Sequence, residues 1–273
     1  MRFIPAQLQE KFFGILTDRP AAAARIVRIL ATLSAAGLLW GLAAAWGHVS
    51  VDAIGPAVLL LVISGSLLHE LGHSFAAMAA GIGLRPIGFS VYLIYPVFYT
   101  NVSGIEKVPL AGRILIDCGG YIFQGVFLLA LMLANYFTAH PAFAEAARWI
   151  LLIIFFNLNP LFRTDGYWLY KDLYTEHKSN RWARALHYIY LAAFAAFSVY
   201  FLWRVGGRLG DIWRDLNILA RSPGYFFSGG YRVVLGAYFV FVGLAGGLRR
   251  FKEGRLELKE LREQRRPRHG DKA

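Results

Sequence analysis

Cysteine occurs once in the chain, at Cys118, so no intrachain disulfide can brace the fold, and this residue sits in an apolar stretch as a small packing side chain. Charge is scarce as well: 17% of the 273 residues are Asp, Glu, Lys or Arg, against 57% hydrophobic and 15% aromatic. That balance excludes an ordinary soluble domain. No internal repeat or low-complexity linker interrupts the sequence, which reads as a single domain over residues 1–273. A cleavable leader is not expected, because the first apolar run begins only near Ile26 and is long for a signal core. Acidic residues number 17 against 29 basic ones, and the formal charge of +12 invites a nucleic-acid reading. Ten of the basic residues lie beyond position 248 and many others flank apolar runs, so membrane topology explains their placement. No nucleic-acid partner is expected.

Apolar length is what the chain has in abundance. Six runs approach the roughly 20 residues that cross a bilayer, at about 26–46, 54–80, 113–137, 144–159, 184–204 and 225–248. The expected fold class is an all-α polytopic membrane protein. Lys and Arg gather before the first run, between the fourth and fifth, and after the sixth. By the positive-inside rule this places both termini in the cytoplasm of a multi-pass protein of the cell membrane. Between 205 and 224, Leu209, Ile212, Trp213, Leu216 and Leu219 recur at helical spacing beside several arginines, which suggests an interfacial helix on the outer surface. Residues 249–273 read as a solvated, charged tail.

The loop from Gly83 to Pro109 is of a different kind. Its stretch "GFSVYLIYPVFYTNV" is rich in aromatic and β-branched residues around Pro96, which points to a β-hairpin-like strand pair or a re-entrant segment between the second and third spans. Open strand edges cannot face lipid. The segment is therefore expected to line a cavity, pair with itself, or pair with an extended substrate.

Ionisable groups appear where an apolar helix should exclude them, in "LLVISGSLLHELGHSFAAMAAG", residues 60–81. On a helix, His69 and His73 stand one turn apart on one face, the spacing at which two imidazoles share a zinc ion. Glu70 follows the first histidine by about a hundred degrees. It is badly placed as a ligand and well placed to take a proton from a metal-associated water. A third protein ligand would complete such a site, and the best candidate is Asp165, in "FFNLNPLFRTDGYW" after the fourth span. The second and fourth spans run in the same direction in the expected topology, which brings Asp165 to the depth of the two histidines. One zinc dication, two neutral imidazoles, Asp165 and Glu70 sum to zero charge, as a low-dielectric interior requires.

His69-Glu70-Leu71-Gly72-His73 with Asn157-Leu158-Asn159-Pro160 and Asp165-Gly166 resembles the site-2 protease family of intramembrane zinc metalloproteases. The stretches "HELGHSFAAMAAGIGLRPIGF", "YPVFYTNVSG" and "NPLFRTDGYW" are similar to its bacterial peptide zinc metalloprotease branch, over roughly residues 60–172. The resemblance implies a three-helix catalytic core within about residues 54–172, one zinc per chain on His69, His73 and Asp165, and Glu70 as general base. It further implies that Asn157 positions the scissile carbonyl or its oxyanion, with Asn159 the competing candidate. A membrane-embedded or membrane-proximal peptide or protein is the implied substrate, and peptide maturation or export machinery the implied association. A non-hydrolytic metal-binding assembly or export component is the rival class. Where many relatives carry Ala-Gly-Pro, this chain reads Cys118-Gly119-Gly120, a glycine pair that would let two helices approach closely.

Overall fold

The computed structural model describes residues 2–17, 19–45, 55–92, 95–159, 164–222, 224, 252 and 255. The chain falls into two compact units, Met1–Arg184 and Ala185–Ala273. In the first, strand β1 (Arg2–Ile4) and helix α1 (Ala6–Thr17) precede three long helices: α2 (Pro20–Ala45), α3 (Pro56–Ala79) and α4 (Leu110–Thr138). Strands β2 (Ile87–Tyr92) and β3 (Tyr95–Thr100) lie between α3 and α4, and α5 (Pro141–Leu158) and α6 (Asp165–His177) follow. Helix α7 (Arg181–Arg221) leads into the second unit.

Among the described residues, four helices are long and apolar enough to cross a membrane: α2, α3, α4 and α5. They match the first four expected spans to within a few residues. Local chemistry sets their ends. Prolines open α3 and α5 at the first helical turn, where a missing N–H costs nothing. Glycines at Gly81 and Gly83, with φ of +89° and +74°, turn the chain out of α3 toward the sheet. The sixth expected span, 225–248, lies outside the described residues, as does all of the charged tail except residues 252 and 255. The expected division of 184–224 into a span and a separate interfacial helix is corrected. One uninterrupted helix, α7, runs through Arg221, because helical hydrogen bonding continues across a fall in hydropathy.

Helix α4 is the hub of the first unit, packing against α2, α3, α5 and α6. Its core partners include Val58, Ile150, Leu151 and Ile154, grouped with Leu128, Leu131 and Met132. The outward faces carry large apolar side chains, among them Ile29 and Leu39 on α2, Leu59 and Leu60 on α3, and Phe155 and Phe156 on α5. Such faces are what lipid-exposed helices present.

The loop between α3 and α4 forms the expected strand pair. β2 and β3 are antiparallel, in a register running from Ile87 opposite Thr100 to Tyr92 opposite Tyr95. A third strand, unforeseen in the sequence, extends the sheet to the order β1-β2-β3. The bond from Asn101 N–H to the Pro86 carbonyl fixes the alternation. Residues 97, 99 and 101 therefore face β2, while Pro96, Phe98 and Thr100 turn their backbone groups to the outer side. A buried polar knot ties α1 to this region. Gln9 Nε2 donates to the Arg85 carbonyl at 2.7 Å, and the Ser74 hydroxyl lies 2.6 Å from Gln9 Oε1.

Candidate metal centre

Helix α3 carries His69 and His73 one turn apart, both buried at 4% and 7% exposure. Their rings meet edge to face, centroids 4.7 Å apart. Such close seating of α3 against α4 depends on glycine. A Cβ on Gly72 would overlap the Gly119 carbonyl, and a Cβ on Gly119 would lie 2.6 Å from the Gly72 carbonyl oxygen. The two backbones thus touch directly. Gly120 leaves the space that the His69 ring fills; a Cβ there would lie 2.5 Å from Nε2 and 2.6 Å from Nδ1.

Each imidazole is oriented through its Nδ1 atom. His73 Nδ1 is 2.7 Å from the Ile116 carbonyl, which can only accept, so this nitrogen carries the proton. His69 Nδ1 is 3.0 Å from Oε1 of Gln124, a fully buried amide two turns further along α4. Tyr121 packs edge-on against the His69 ring at 5.6 Å. Both Nε2 lone pairs are therefore directed at each other's neighbourhood, 3.0 Å apart.

Asp165 arrives from the opposite side. Just ahead of α6, the Thr164 hydroxyl donates to the Asn157 carbonyl at 2.7 Å. Gly166 packs so tightly on the backbone of Asn157 and Leu158 that a Cβ would collide with the Leu158 carbonyl. These contacts fix Asp165 in the first turn of α6, where a carboxylate suits the helix dipole. Its Oδ2 lies 2.7 Å from His69 Nε2 and 3.4 Å from His73 Nε2.

His69, His73 and Asp165 thus form a group that could hold a metal ion. Three lone-pair atoms meet with separations of 2.7 to 3.4 Å. The edge of a zinc tetrahedron with bonds of about 2.0–2.1 Å is about 3.3 Å, so donor set and spacing both suit zinc. Two imidazoles and a carboxylate also leave a fourth position open.

Glu70 stands beside this group, half-buried. Thr100, the last residue of β3, places its hydroxyl 2.8 Å from Glu70 Oε2 and 2.8 Å from the Glu70 main-chain oxygen. Asn157 lies half-buried in the last turn of α5, and Asn159 takes the C-cap position of that helix. Gln124, Thr100 and the Ile116 carbonyl had no place in the sequence reading. A glutamine within an otherwise apolar helix was a signal for the first; the other two are tertiary contacts with no local signature.

Among curated proteins, the chain is 26% identical over 132 residues to YydH of Bacillus subtilis (strain 168), provisionally named a peptide zinc metalloprotease; the match covers 46% of this chain and 52% of that protein. It is 28% identical over 116 residues to the zinc metalloprotease MJ0392 of Methanocaldococcus jannaschii, covering 40% of this chain and 32% of that one. The chain therefore spans about half the length of one relative and a third of the other. No protein-family model matches it, and no solved structure matches it significantly.

Proposed function

As a relative of the site-2 protease-like zinc metalloproteases, the chain, we propose, is an intramembrane zinc endopeptidase that hydrolyses a peptide bond in a membrane-embedded or membrane-proximal substrate. The observation that carries this reading is the meeting of His69 Nε2, His73 Nε2 and Asp165 Oδ2 with a glutamate one residue from the first ligand. His69, His73 and Asp165 would hold one zinc ion per chain. When bound, zinc supplies a Lewis acid that polarises the scissile carbonyl and acidifies water. Glu70 accepts the proton of the attacking water as the new C–O bond forms, and returns it to the amide nitrogen as the C–N bond breaks. Asn157 orients the carbonyl from the end of α5. The apolar faces of α2 to α5 sit in the bilayer with both termini in the cytoplasm, and two further crossings follow, one within the continuous helix α7 and one at about 225–248. The setting that fits this chemistry is peptide maturation or export.

An extended substrate adds to the outer side of β3. The alternation of the hairpin sharpens the test of this idea. Proline at Val97, Tyr99 or Asn101 breaks bonds to β2 and damages the hairpin itself, so cleavage that survives all three substitutions unchanged would overturn this reading.

The central experiment compares zinc content, by elemental analysis, with chelator-sensitive loss of membrane proteins in cells expressing the wild type or Glu70→Gln. Glu70→Gln should keep zinc and lose turnover, whereas His69→Ala, His73→Ala and Asp165→Ala should lose both. Wild-type turnover by Glu70→Gln would refute the role of the base.

A further inference from the structure

The Glu70 carboxylate ends a side chain with three rotatable bonds, and a base so mounted needs something to hold its direction. Among the described residues, the hydroxyl of Thr100 is the hydrogen-bond donor to that carboxylate, at 2.8 Å. The same oxygen is 2.8 Å from the Glu70 carbonyl. A hydroxyl has one proton to give, and that carbonyl already has a helical donor four residues along α3. The carboxylate, charged and otherwise unsupported on this side, is the stronger acceptor.

Thr100 also closes β3, at a position whose backbone N–H and C=O face away from β2. One residue therefore touches the base with its side chain and offers the outer side of the sheet with its main chain. We propose that Thr100 is a positioning residue: its hydroxyl fixes the direction of the Glu70 carboxylate, and its backbone registers an added peptide strand against that same group. This rests on the proteolytic reading of the site and names how base and substrate are aligned within it. Thr100 takes no part in bond making or breaking.

The test uses the full-length, zinc-loaded protein in detergent and a peptidyl hydroxamate, which chelates zinc and needs a carboxylate to accept its proton. Binding is measured by calorimetry, with zinc content checked for each variant. Thr100→Val, which keeps the shape and removes the donor, should retain zinc and weaken binding about tenfold, the lower end of what a hydrogen bond to a charged group contributes. Thr100→Ser should restore binding to within about twofold. In a Glu70→Ala background, Thr100→Val should have no further effect, because the group it positions is gone. If the valine variant does not fold, Thr100→Ala against Thr100→Ser makes the same comparison. Equal binding by wild type and Thr100→Val overturns the proposal, as does an equal loss in the Glu70→Ala background or a loss of zinc, each of which marks a structural role. Failure of the zinc-loaded wild type to bind the hydroxamate overturns the proteolytic reading itself, and this proposal with it.

Discussion

Gly120→Ala adds one methyl group, and the structure says where that methyl must go. Its carbon would stand 2.5 Å from Nε2 and 2.6 Å from Nδ1 of His69, whereas an ordinary contact needs about 3.5 Å. Something must retreat by about 1 Å. Helix α4 is poorly able to do so, because the preceding residue, Gly119, already rests on the Gly72 backbone. The ring is left to move, which stretches its 3.0 Å bond to Gln124 and turns Nε2 away from Asp165. Metal–ligand distances tolerate only about 0.2 Å. Overpacking of this kind costs about 1–3 kcal/mol; charged against the metal-bound state, that is a zinc affinity lower by roughly 5- to 150-fold. The assay is zinc competition with a chelator of known affinity on purified protein, with helicity followed by circular dichroism. Gly14→Ala is the control, since a Cβ there meets nothing within 4 Å. A Gly120→Ala protein that binds zinc as tightly as the wild type would refute the argument that this glycine exists to seat His69.

Further outcomes follow from the same geometry. Gln124→Leu leaves the buried Nδ1–H of His69 without an acceptor and should weaken zinc binding by about 10- to 100-fold, as read by the same competition. Gly166→Ala drives a methyl into the Leu158 carbonyl and must displace Asp165, so the purified variant should carry well under one zinc per chain by elemental analysis. Arg113 bridges α4 to Asp172 at 3.5 Å and Glu176 at 3.1 Å on α6. With Glu176 half-exposed, Arg113→Ala should cost roughly 1 kcal/mol and lower the melting temperature by a few degrees while zinc content stays unchanged.

The long apolar helices were legible because a bilayer imposes a length that composition reveals, and prolines and glycines mark their ends. The histidine pair was legible because helical periodicity converts a four-residue spacing into a shared face. Asp165 was reachable by counting crossings, although its position at the head of a separate short helix was not, since α5 ends at Leu158 and α6 begins at Asp165. The adjacent glycines at 119 and 120 mark a point of close helix approach, and both members serve that end, one against backbone and one against His69. The N-terminal strand and α1 were hidden. β1 is three residues long and exists through its pairing with β2, and α1 read only as a basic flank. The supports of the site were the least visible part. Thr100 reaches Glu70 across 30 residues of chain and Gln124 reaches His69 across 55, so their meaning resides in the packing of α3, α4 and the hairpin.

The main-chain contact between Gly72 and Gly119 has a bearing on how a peptide could enter. Side chains can swing aside, but two polypeptide backbones in contact have no rotamer to change. The spacing of α3 and α4 at the level of the histidines is thus set once, at folding, and both imidazoles lose their supports if it widens. On the proteolytic reading proposed above, a chain would reach the buried ligands by movement elsewhere, of the hairpin, of α5, or of the short helix that brings Asp165.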